Sequence, residues 1–190
     1  MTKARDLANG GFGLVLVKPS SVVGGTDNGK GTVNFSAVSS VSLNGVFTST
    51  YRHYRISLQL TAATADADIR IRMRFNGSDT SSNYYFGGAY GVFTGSNSVW
   101  AGNNVDRWAL GSIDTSNANI AQSYTMDIFS PQINRSTNIS LQGWGQETGG
   151  NTYWISFSGV QNDSTQFDGF SVLATAGAVS GIVSVYGYNN

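Results

Sequence analysis

Tyr153-Trp154-Ile155-Ser156-Phe157-Ser158-Gly159-Val160, then Phe167-Asp168-Gly169-Phe170-Ser171-Val172-Leu173, then Ser180-Gly181-Ile182-Val183-Ser184-Val185-Tyr186-Gly187-Tyr188 are the runs that decide the fold. Each is short, dense in β-branched and aromatic residues, and set off from the next by polar turn residues. In the first, Tyr153, Ile155 and Phe157 alternate with Trp154 and Ser156, the period of a strand with one buried face.

The same rhythm extends back towards the start of the chain. Ile139 and Leu141 alternate with Ser140 and Gln142. Ile69, Ile71, Met73 and Phe75 alternate with Asp68, Arg70, Arg72, Arg74 and Asn76. Asn76-Gly77 then carries a hairpin-turn signal. Tyr54, Ile56, Leu58 and Leu60 alternate with His53, Arg55, Ser57 and Gln59. About ten strands follow one another with no amphipathic helix between them, and that pattern requires antiparallel pairing. The expectation is an all-β chain folded as an antiparallel β-sandwich, jelly-roll-like in strand number, over residues 31–190.

Residues 1–30 read differently, as an extended N-terminal arm and linker. Leu14, Val15, Leu16 and Val17 form one apolar run between Gly-rich stretches, and residues 24–31 look like a flexible linker. The run either docks onto a neighbouring protein by adding a strand to it or adds an edge strand to its own domain. The N-terminus has no apolar run of signal-peptide length, and no stretch reaches the ~18 apolar residues of a membrane span.

Composition narrows the function. The chain has 190 residues, 11 basic and 11 acidic, so its formal net charge is zero. Nucleic acid and anionic membrane surfaces exert no long-range pull on such a chain. Cysteine is absent and histidine occurs once, at position 53. Thiol chemistry, disulfides and His/Cys metal sites are therefore excluded. His53 lies in an alternating strand, and no Gly-x-Ser-x-Gly elbow accompanies it. Asp66 and Asp68 lack the surrounding loop of a calcium site. Glu147 is the single glutamate, which leaves a paired-carboxylate glycosidase without a convincing partner. No catalytic residue, cofactor or metal is expected.

Two surface signals remain. A period of two places Arg70, Arg72 and Arg74 on one strand face, where Arg55 would join them if the two strands pair. Trp144 and Trp154 fall on the polar side of their strands. These six residues are the candidate subunit or partner interface; the arginine stripe otherwise reads as a solvated sheet face with Asp68, Asp127 or Asp106 opposite. Tyr84, Tyr85 and Tyr90 crowd a Gly-rich segment, and Trp100 and Trp108 fall between strands or on their polar faces; core packing claims about half of such aromatics, and these five are the candidate glycan contacts, since sugars stack on exposed aromatic faces.

Several stretches, taken in order, resemble structural proteins of tailed bacteriophages, especially those infecting marine bacteria and cyanobacteria. They are Thr2-Lys3-Ala4-Arg5-Asp6-Leu7-Ala8-Asn9, Val41–Phe47 followed by Tyr51–Ile56, Ile69–Arg72, Asn83–Tyr85, Asp168–Val172 and Gly181–Tyr188. The resemblance implies a virion component made in the host cytoplasm, a homotrimer that decorates, cements or projects from a capsid or tail. It also implies attachment through an N-terminal arm, here Lys3, Arg5 and Leu14–Val17. A receptor-binding fibre tip that recognises host surface carbohydrate is the alternative.

Overall fold

The computed structural model describes residues 13–95, 97–115, 121–147 and 149–189. Lys3 and Arg5 lie outside them. The described residues form strands β1 (Gly13–Leu16), β2 (Ser21–Val23), β3 (Thr26–Asp27), β4 (Thr32–Val38), β5 (Ser40–Asn44), β6 (His53–Ala63), β7 (Ala67–Phe75) and β8 (Ser78–Asp79). They continue with β9 (Tyr84–Val92), β10 (Asn97–Val105), β11 (Trp108–Ile113), β12 (Gln122–Phe129), β13 (Thr137–Gln146), β14 (Thr152–Gln161), β15 (Gly169–Ala174) and β16 (Val179–Asn189).

The strands build two antiparallel sheets packed as a sandwich. The 10-stranded sheet runs β10-β9-β14-β13-β12-β6-β16-β4-β3, with β1 also on β16. The 6-stranded sheet runs β11-β7-β15-β5-β2, with β8 on β7. Period-two alternation fixes which side chains meet between them. Tyr54, Ile56, Leu58 and Leu60 of β6 face Ile69, Ile71 and Met73 of β7, all at most 1% exposed. Aromatics bridge the layers. Tyr84 of β9 meets Trp108 of β11 edge-on at 5.2 Å. Phe47, before β6, meets Tyr54 at 4.9 Å and Phe170 of β15 at 5.9 Å.

The segment expected as arm and linker is built into the body from Gly13 onward. Strand β1 pairs with β16 of the same chain, Leu14 opposite Tyr188 and Leu16 opposite Tyr186. The Val17 amide continues the ladder to the Val185 carbonyl at 2.8 Å. Thus Leu14, Val15, Leu16 and Val17 spend one row of backbone hydrogen bonds on their own domain, which removes the expected strand addition to a neighbour through that row. The supposed linker is likewise anchored. β2 pairs with β5, β3 pairs with β4, and a Cβ on Gly31 would come within 2.7 Å of the Val17 carbonyl oxygen.

Candidate functional site

The outer face of the 10-stranded sheet is its broadest surface. The strand registers assign its residues. Arg55, Ser57 and Gln59 of β6 stand beside Asp127, Thr125 and Ser123 of β12. Those three stand beside Ser140, Gln142 and Trp144 of β13. Trp144 is directly opposite Trp154 of β14, and Trp154 is opposite Gly91 of β9. Along the paired strands of this face the only charged side chains are Arg55 and Asp127.

Those two charges neutralise each other. Arg55 donates from Nε to Asp127 Oδ1 and from Nη2 to Oδ2, both at 2.8 Å. This is the bidentate fork that matches guanidinium to carboxylate. The Tyr188 hydroxyl adds a 2.6 Å hydrogen bond to Oδ1, and the Arg55 guanidinium lies 5.6 Å from the centre of the Tyr188 ring. Burial works to raise the Asp127 carboxyl, but the hydrogen bonds from Arg55 and Tyr188 outweigh it and hold the group below its ordinary value. The hydrogen bond to Asp127 raises Arg55 in turn. A shallow depression of about 510 Å³ lies here, lined by this pair together with Thr125, Ser140, Gln142 and Trp144.

Apolar groups stud the same face. Val99 is 86% exposed, and Leu14, Phe129, Trp144 and Ile182 lie between 36% and 42%. The alternation expected to turn Trp144 and Trp154 outward is what the registers show. The Trp154 indole lies where a Cβ on Gly91 would come within 2.6 Å of Nε1, so β9 needs a glycine beneath it.

The arginine stripe lies elsewhere. Arg70, Arg72 and Arg74 do share one face, but it is the outer face of the 6-stranded sheet. Arg55 belongs to the other sheet and cannot join them. Arg74 is buried. It donates to Asp79, Asn44 Oδ1 (2.9 Å), Ser42 Oγ (3.2 Å) and Ser171 Oγ (2.9 Å), and serves as an internal tie rather than an interface. Arg72 is ion-paired with Asp106, which also takes Arg107. Arg70 is half-buried, and its Nε lacks a hydrogen-bond partner in the described structure.

The expected glycan contacts separate into two groups. Tyr84 and Trp108 are fully buried and cannot touch a ligand. Their place is in the core because each faces inward from its strand, with the Tyr84 hydroxyl accepting from the Met73 amide at 2.8 Å. Tyr85 is half-buried and faces outward on β9. Tyr90 and Trp100 line a cavity of about 310 Å³ with Gly111, Ser112, Glu147 and Tyr153, at the margin where β9 and β10 meet β11. Nothing in the sequence marks Ser112 or Tyr153 as a cavity residue. Inward parity marks Tyr153 for the core, and only the meeting of the two sheets brings it to a cavity wall.

No group of three or more His, Asp or Glu side chains among the described residues is placed to hold a metal ion. No protein-family model matches the chain, and no curated protein matches it. Among solved structures it is similar to the SPRY domain of human HERC1, at 10% identity and a TM-score of 0.22, covering 86% of this chain and 98% of that one. A likeness that distant carries no argument about fold or function.

Proposed function

We propose that this chain is a structural protein of a tailed-phage particle that works by surface contact. It assembles with copies of itself, as a homotrimer, and decorates or stabilises the capsid or tail. The observation that supports this reading best is the outer face of the large sheet. Its two charges are paired with each other, its polar groups are neutral hydroxyls and amides, and apolar groups stand exposed among them. Such a face is depleted of free charge and carries aromatic groups, the composition of an interface core. In this reading the segment before β1, with Lys3 and Arg5, attaches the trimer to the particle. The resemblance of several sequence stretches to phage structural proteins supports the setting.

The test is to tag the chain and image intact particles. Label on head or tail supports the proposal, and particles without label overturn it. Deleting residues 1–12 should then release the label while the body stays folded. A second reading, recognition of host surface carbohydrate, draws on the depression around Arg55, Asp127, Gln142 and Trp144, where charged and amide hydrogen-bonding groups sit beside an indole. Saturable glycan binding that is lost in Trp144→Ala would favour it.

A further inference from the structure

Glu147 lines the cavity at the sheet margin, and the larger walls of that cavity are the rings of Tyr90, Trp100 and Tyr153. Tyr90 and Trp100 meet at 5.9 Å with their planes 71° apart, so the two rings form a corner. A group seated in a near-perpendicular corner meets the π face of at least one ring.

Two hydroxyls in the wall are spent within the protein. The Tyr153 hydroxyl donates to the Ser112 carbonyl at 2.8 Å and is hydrogen-bonded to the Tyr124 hydroxyl at 2.9 Å. The Ser112 hydroxyl donates to Asp68 Oδ1 at 3.1 Å. The Glu147 carboxylate is the one charged group among the lining residues. None of the ion pairs among the described residues uses it, and its side chain receives one long hydrogen bond, 3.4 Å from the Asn151 amide.

The surroundings carry more negative charge. Asp68 stands opposite Ser112 across β7 and β11. Asp114 accepts from the Gly150 amide at 2.8 Å, in the turn that holds Glu147. Asp66 accepts from Thr115 just beyond β11. These carboxylates are spread along the margin and do not converge on a metal-sized point. Of these, Glu147 and Asp68 act on the Tyr153 hydroxyl in the wall, while Arg70 on the same strand face offsets part of the Asp68 charge.

Aromatic walls with one uncommitted carboxylate match an organic cation. A neutral sugar would leave that carboxylate without a counter-ion, whereas an organic cation supplies one. We infer that this cavity binds a small alkylated ammonium group, with the Tyr90–Trp100 corner supplying cation–π attraction and Glu147 the counter-charge. The site is independent of the outer sheet face, and its test does not require that the chain belong to a phage particle.

The purified full chain is titrated with choline and with 3,3-dimethylbutan-1-ol, which has the same shape without the charge. Tryptophan fluorescence and calorimetry give the readouts. Saturable choline binding at least about tenfold tighter than that of the neutral alcohol is expected. Glu147→Gln should weaken choline about fivefold or more, and Trp100→Ala should abolish binding. Unchanged melting profiles confirm that both variants fold. Absence of saturable choline binding, equal affinity for the two compounds, or unchanged affinity in Glu147→Gln would each overturn the assignment.

Discussion

Arg74 ties together three strands and a turn. Its guanidinium meets Asp79 of β8, Asn44 and Ser42 of β5 and Ser171 of β15, and the Gly77 carbonyl accepts from it as well. Arg74→Ala would leave Asp79 largely buried without its counter-ion, so we expect a loss of about 3–5 kcal/mol in urea unfolding. Asp79→Ala should be strongly non-additive with it in a double-mutant cycle. The Arg55–Asp127–Tyr188 cluster makes a pH prediction. Asp127 titrates below its ordinary value in the folded chain. Its stabilisation is therefore complete above the unfolded carboxyl's value, about 3.9, and is lost as pH falls through the lower folded value. Asp127→Asn should accordingly lose less stability than the parent when urea midpoints at pH 5 and pH 3 are compared. Tyr188 moves the opposite way. Burial first, then its hydrogen bond to Asp127, pushes its hydroxyl up to about 12. That part of the stability is present below pH ~10 and fades as the phenol ionises above it. Tyr188 is one of several tyrosines raised in the fold, so Tyr188→Phe should lower the late phenolate amplitude by one phenol.

At the scale of elements, β1 is where sequence alone left two answers open. Leu14–Val17 reads equally well as an edge strand of its own domain or of a neighbour, because four apolar residues do not encode a partner. The Val17–Val185 hydrogen bond and the pairing with β16 assign it to its own sheet. Removing residues 1–18 should cost about 2 kcal/mol or more as the ladder on β16 is exposed. Strand β11 shows a second constraint. Gly111 has φ of +104°, and a Cβ there would lie 2.3 Å from the Tyr153 hydroxyl. Gly111→Ala should destabilise the fold through both the backbone and that contact. The long alternating strands were legible because period two records burial directly. Ile69, Ile71 and Met73 face the core, and Trp144 and Trp154 face out, as their parity demands. The arginine stripe was legible as a face but not as to which sheet. Arg55 and Arg70 belong to strands joined by a short turn, yet the chain crosses between sheets there. Which aromatics of this region pack inward was not legible, because Trp108 and Tyr84 are buried only by the opposite sheet. The cavity could not be read at all, since its walls come from β9, β10, β11, β14 and the turn after β13.

For the whole molecule, zero net charge and a broad, nearly uncharged sheet face act together. Nothing long-ranged holds copies of the chain apart, and the face offers aromatic and aliphatic area to bury on contact. The sandwich supplies a stiff platform for that contact, because its inner face is closed by core residues from both sheets. The proposed self-assembly therefore predicts a specific sensitivity. Arginines introduced at Ser140 and Trp144 would project from a face that otherwise has one guanidinium, already paired, and would repel their copies across an interface. The core would not be touched, so the fold should survive. The most direct measurement is sedimentation equilibrium of the parent chain and of the Ser140→Arg, Trp144→Arg double variant at micromolar concentration. We predict a trimeric mass for the parent and a monomeric mass for the variant, with matching circular dichroism. A parent that stays monomeric at that concentration, or a variant that keeps the trimeric mass, would contradict the assignment of the large sheet's outer face as the working surface of this protein.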